Sequence, residues 1–191
     1  LFTTEYSIQK LKETILQLAV MGKLVSQNCA DEPASVLKQK LIDKRGSSIG
    51  KEKLKQKNSS SDLLSHDSSI DLPNNWCWTS VNSLMEVNRK IGYGIIKLGA
   101  EPASGGIPTL RCSDVKPRYI DPKNIRTVAK EIEEPYHKTR LYGGEVLINI
   151  RGTLGGVALV SDKLAGYNIA REVAMLPVDS EINGSYLVNV I

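Results

Sequence analysis

The feature that most constrains this chain is a break in its middle. Between Lys38 and Lys57 stand eight basic residues against two acidic ones, Asp43 and Glu52, and serines at 47, 48, 59, 60, 61, 65, 68 and 69 overlap and follow them. A stretch this polar buries too little apolar surface to offset the entropy of ordering it. Any core must therefore form on either side, and the two sides differ in kind. The expected organisation is a helical arm over 1–45, a Lys/Ser-rich linker over 46–70 and a globular domain over 71–191. The lysine run itself reads as a solvated helix face and tail, with diffuse positive charge available as a supporting phosphate contact.

In the arm, Ile8, Leu11, Ile15 and Leu18 recur three and four residues apart. That spacing draws a narrow apolar stripe along one helix face. It serves equally as a coiled-coil seam or as a face packed on its own domain. Gly22 is the expected helix stop. A second helix is predicted from near Pro33 to Lys44, with Asp31 as N-cap, Pro33 in the first turn and Val36, Leu37, Leu41 and Ile42 on its apolar side.

Beyond the linker, Pro73, Asn74 and Asn75 form a turn, and Trp76-Cys77-Trp78 alternates like a first strand with both indoles on one core-facing side. Further strands are predicted at 107–113, 145–150, 156–160 and 172–178. A helix is predicted near 130–141, and another begins near Ile182. Acidic residues at 131, 133 and 134 would complement the dipole of the 130–141 helix. Strands dominate without regular βαβ alternation, so the fold class is α+β: a mixed, strand-rich domain preceded by a helical arm. The chain opens on Leu1 and stops at Ile191 inside an element barely begun, which reads as a piece of a longer protein.

Catalytic chemistry finds little support. The glycine pairs at 143–144 and 155–156 form neither a Walker loop nor a dinucleotide fingerprint, and there is no nucleophile elbow. The cysteines, Cys29, Cys77 and Cys112, are odd in number and far apart, which suits a reducing cytoplasm and forms no zinc pattern. His66 and His137 have no ligand partners at metal spacing, so no metal site is expected. No apolar run is long enough to span a membrane. The net charge of +4 permits a polyanionic partner without demanding one.

Three segments stand out. In the first, Gly92-Tyr93-Gly94 sits between Arg89-Lys90 and Lys97, either a loop exposing an aromatic or a simple turn. In the second, Leu110 runs into Arg111, Ser113, Asp114, Lys116 and Arg118, suited to base edges and phosphates or to an ordinary solvated loop. The third is a hairpin with Arg151, Gly152 and Thr153 at its mouth, Arg151 either free for a ligand or paired with Glu172.

These segments, read in order, resemble the specificity subunits of type I restriction–modification enzymes. The blocks are residues 15–25 and 31–35, Leu72-Pro73 with Trp76 and Trp78, Gly92-Tyr93-Gly94, Gly106-Ile107-Pro108, Leu110-Arg111, residues 143–147, residues 150–155 and residues 168–174. The resemblance implies a non-catalytic, cytoplasmic subunit with two target-recognition domains separated by helices, each domain reading half of a split site in double-stranded DNA. It implies modification (methyltransferase) subunits and a restriction (endonuclease/translocase) subunit as partners. S-adenosylmethionine, ATP and magnesium belong on those partners, with no cofactor on this chain. One recognition domain is present here, so a half-site is expected. The residues placed nearest DNA are Lys90, Tyr93, Lys97, Arg111, Ser113, Lys116, Arg118, Arg151 and Thr153. Basic members would hold phosphates, while Arg111 or Arg151 would read guanine. Arg171 either braces the Arg151 hairpin or touches DNA. The alternative is an interaction scaffold that docks methylation subunits through its helices.

Overall fold

The computed structural model describes residues 4–48 and 71–191. The chain divides into two compact units, Leu1–Leu84 and Met85–Ile191. Most of the expected linker, residues 49–70, lies outside the described residues, as does His66.

In the first unit, helix α1 spans Glu5–Val20. Thr4 starts it: its hydroxyl accepts from the Ser7 amide, and Ser7 reaches back to the Thr4 amide, so two otherwise orphaned donors are satisfied. Gly22 ends it in the left-handed region, at φ +67°, as the sequence predicts. No residue of α1 is buried, and Ile8, Leu11, Ile15 and Leu18 are all exposed. The apolar stripe is therefore present but uncovered among the described residues.

Helix α2 spans Ala34–Ser48. Asp31 is not its cap. Its carboxylate instead accepts from the Asn28 amide, and the first helical amide, that of Ala34, donates to the Asn75 carbonyl. Leu41 is buried, whereas Val36 and Ile42 remain exposed. The predicted strand at Trp76–Trp78 does not form. Residues 71–84 instead lie along the helices, with Lys38 Nζ donating to the Trp78 carbonyl at 3.2 Å and Arg45 to that of Asn82. The Trp76 indole stands over Gly22 and donates to Gln27 Oε1, while Trp78 is 42% exposed. Neither indole sits on a strand face, because the local backbone serves the helix ends instead.

The second unit is the mixed α+β domain expected. Its main sheet is antiparallel in the order β1 (Gly92–Tyr93), β9 (Val173–Leu176), β6 (Val146–Asn149), β7 (Val157–Leu159). A second sheet places β2 (Ile107–Leu110) between antiparallel β5 (Arg126–Val128) and parallel β8 (Asn168–Ile169). A small hairpin joins β3 (Val115–Lys116) to β4 (Tyr119–Ile120). Leu110, Val115, Leu141, Leu147, Ala158, Val160, Ile169, Val173 and Met175 form the core. Burying each larger side chain contributes about 1.5–3 kcal/mol. Helix α4 (Gly184–Val190) begins at an Asn183 cap, close to the predicted position, and buries Leu187 and Val188.

The 130–141 segment is shorter and tighter than predicted: α3 covers only Lys130–Glu133, and a 3-10 stretch follows over Glu134–Thr139. Glu133 also departs from expectation. Rather than serving the helix dipole at the surface, it is fully buried and holds Arg140 and the Asn168 amide. Asn168 is itself fully bonded, accepting from Thr139 Oγ1 and the Ile169 amide and donating to the Tyr136 carbonyl. The Arg140 hydrogen bonds hold the Glu133 carboxyl below the usual carboxylate range against the opposing effect of burial. Such a group contributes stability that is full above the unfolded glutamate value of about 4.3 and is lost as pH falls through its lower folded value. Glu133→Gln is expected to cost about 2–3 kcal/mol at neutral pH, because it leaves Arg140 without its main partner. Urea titrations of both proteins at pH 7 and pH 3.5 check this: the difference between them should shrink at the lower pH.

Candidate nucleic-acid interface

Strand register decides which of the singled-out side chains meet. Residue 149 in β6 pairs with Val173 in β9, and the Ile150 and Arg151 amides then both donate to the Glu172 carbonyl. Arg151 therefore leaves the sheet where β9 enters it. On the other side of β9, Ile95 bridges Ala170 in parallel, with the Arg171 amide donating to the Ile95 carbonyl at 3.0 Å. Leu110 runs parallel to Ile169, and its carbonyl accepts from the Ala170 amide at 2.8 Å. Three chain segments thus run side by side toward one end of the domain and deliver Lys97, Arg111 and Arg171 there, beside Arg151.

Hairpin β3–β4 completes this rim. The Arg118 amide at its tip donates to the Val157 carbonyl at 2.7 Å. The buried Asn149 amide joins it to the β6–β7 loop, with Nδ2 lying 2.9 Å from the Cys112 carbonyl, 3.1 Å from that of Val115 and 3.0 Å from that of Thr153. Packing there is so close that a Cβ on Gly156 would fall 2.4 Å from the Val115 carbonyl oxygen, which only glycine avoids. Two loops that sequence separates are thereby held as one surface. Lys97, Arg118, Arg151 and Arg171 are exposed on it, with Lys116 half-buried. Tyr119 and Leu154 stand exposed among them at 58% and 78%.

Of the residues singled out from sequence, Lys97, Arg111, Ser113, Lys116, Arg118, Arg151 and Thr153 come together on this rim. Lys90 does not. It lies at the opposite end of the sheet, next to Arg89, whose guanidinium bonds Glu145 at the start of β6. Tyr93 is on edge strand β1, paired with Ala174 between the two ends, and is 59% exposed. Arg111 is on the rim, but its Nε and Nη2 each bond the buried Asp114 carboxylate at 3.1 Å, and Nη2 also reaches the Asn124 carbonyl. These bonds raise the Arg111 pKa, and Ser113 Oγ donates to the same carboxylate. Both side chains shape the loop.

No carboxylate pairs with Arg151 among the described residues; Glu172 lies 3.6 Å from Arg171 Nε instead. Sequence reading missed Asn149, whose only signal was an amide closing an apolar strand. The described residues contain no His/Cys/Asp/Glu group able to hold a metal ion, and none of their helices is long and apolar enough to cross a membrane.

Asn149 yields a direct test. Asn149→Ala would remove the donor shared by three carbonyls and is expected to destabilise by about 2–3 kcal/mol. Asn149→Asp should cost more, because a carboxylate only accepts and would face those carbonyl oxygens. Thermal denaturation of the three proteins checks the order.

No family model matches the sequence. Among curated proteins it is similar to the specificity subunits of the Escherichia coli type I restriction enzymes EcoAI, 40% identical over 84 residues, and EcoEI, 41% over 85. Each match takes in 44% of this chain and 14% of the relative. The EcoBI specificity subunit of the same organism is 27% identical over 113 residues, 59% of this chain and 23% of the relative. Matched segments therefore span well under a third of these longer proteins. Two solved structures align over nearly the whole chain. One is a chain of a type I R-M system (16% identity, TM-score 0.44, 97% of this chain and 40% of that one). The other is the HsdS subunit from Thermoanaerobacter tengcongensis (14%, 0.43, 96% and 40%). Over the matched segments this chain is similar to the specificity subunits of type I restriction enzymes.

Proposed function

We propose that the second unit reads duplex DNA through the basic rim, as the recognition element for one half of a split target in a type I restriction–modification complex. The observation that carries this reading is the convergence of Lys97, Arg118, Arg151 and Arg171 on one end of the sheet. Their backbones are fixed by the strand ladder while their side chains stay exposed. Cations on a preformed frame suit a polyanion whose phosphates fix register, leaving neighbouring side chains to read base edges. Tyr119 and Leu154 add apolar contact for sugar or thymine methyl groups.

In this reading the chain works in the cytoplasm and carries no catalytic step. Modification subunits bind S-adenosylmethionine and transfer the methyl group, and a restriction subunit uses ATP and magnesium. The half-site duplex should compete better than a scrambled one, with affinity falling steeply as salt rises. Lys97→Ala and Arg151→Ala are each expected to lower the log–log salt slope by about 1 if the lost group met a phosphate. Fluorescence anisotropy across a salt series checks this, and unchanged slopes in both variants would overturn the assignment.

The exposed stripe of α1 supports a second role. Ile8, Leu11, Ile15 and Leu18 form a ready helical seam, suited to docking a modification subunit. Replacing Leu11 and Ile15 together by Asp should abolish co-purification of that subunit. The circular dichroism melt should stay unchanged, since neither side chain is buried here.

A further inference from the structure

Arg118 occupies a backbone conformation that arginine avoids. Its φ is +69°, and among the described residues only Asn75, of a type that tolerates this region, shares a positive φ without being glycine. It follows Pro117 in the two-residue connection between Lys116 and Tyr119, which pair across the hairpin. Proline followed by a left-handed residue is the arrangement in which a type II turn asks for glycine. The strain is held in place, because the Arg118 amide is tied to the Val157 carbonyl and the Val115 carbonyl to Asn149.

Glycine would satisfy this turn at less strain, so the guanidinium supplies something that glycine cannot. A phosphate contact needs only charge, which a flexible lysine at an unstrained position also provides. A base contact needs direction: the planar fork must meet two acceptors at once. A turn that fixes the Cα–Cβ vector at the tip of a rigid hairpin provides that direction. Arg111, seven residues earlier, is held otherwise: its Nε and Nη2 bond the two Asp114 carboxylate oxygens, and Nη2 also donates to the Asn124 carbonyl.

We propose that Arg118 is a specificity-determining residue that reads a guanine in the major groove, its fork bridging the O6 and N7 acceptors, from the tip of hairpin β3–β4. This rests on the DNA-reading function proposed above and names the side chain that carries part of it.

The test uses the intact protein assembled with its modification subunits. It selects from duplexes randomised over the target positions, and the selection is repeated with Arg118→Gly and Arg118→Lys. The wild type should select a guanine at one position. Arg118→Gly should lose that preference roughly ten- to hundredfold, leave other positions unchanged, and melt at the same or a higher temperature because the turn is relieved. Arg118→Lys should keep the salt slope, because the charge remains, but lose the guanine preference and the affinity that goes with it.

A loss in Arg118→Gly spread evenly over all sequences, with the salt slope lower by about 1, would make Arg118 a phosphate contact and overturn the proposal. An unchanged selection would overturn it too, while weakened binding by Arg151→Ala and Lys97→Ala would leave the DNA-reading function standing. A wild type that selects no sequence overturns both.

Discussion

The pairing of β6 with β9 is the constraint on which the rest of the second unit depends. Its register runs from Val146 opposite Leu176 to Asn149 opposite Val173, and the ladder is prolonged by the two amides given to the Glu172 carbonyl. Both strands are buried along most of their length, with β1 and β7 flanking them. A slip of one residue would turn Leu147 and Met175 out of the core. It would also move the Asn149 amide off its three carbonyls. The hydrophobic register and the geometry of the rim are therefore a single constraint, and the core cannot repack without displacing the cations.

Buried carboxylates explain why net charge says so little about this chain. Glu133, Glu145 and Asp114 are all nearly inaccessible, and each is bonded by an arginine: Arg140, Arg89 and Arg111. Glu145 also accepts the Tyr142 and Gly143 amides, and Arg89 lies over the Tyr142 ring. Burying ions in this way costs desolvation that only full hydrogen bonding offsets, and these groups have it. Charges spent inside the domain cancel in the total of +4 but contribute nothing to the surface field.

The fold was legible where period and length were long enough to read. The α1 stripe with its Gly22 stop, the longer strands near 107, 146, 157 and 173, and the start of α4 all appear where the sequence places them. Two- and three-residue strands such as β1, β3, β4, β5 and β8 carry no periodicity to detect, and they exist because long-range partners pair them. Trp76 and Trp78 misled for a related reason: alternation over three residues fits a strand, but contact with Gly22, Gln27 and α2 decided the outcome. For the rim, residue type singled out loops that the fold brings together. It could not separate Arg111, held by a buried carboxylate, from Arg118, whose backbone amide is bonded to Val157, nor show that Lys90 leaves the sheet at the opposite end.

The frame under the rim is built almost entirely from main-chain groups. Asn149 bonds the carbonyls of Cys112, Val115 and Thr153; Arg118 offers its amide to Val157; Ile150 and Arg151 offer theirs to Glu172. None of these bonds depends on the side chains at 116, 118, 151 or 153. Residues there can change in charge and shape while the backbone that presents them stays fixed, provided that Asn149 and the close contact at Gly156 remain. Under the proposed DNA-reading function, substitution at those positions would convert a surface that reads one sequence into one that reads another. The cost in stability is then confined to turn positions such as 118, where the backbone itself prefers glycine.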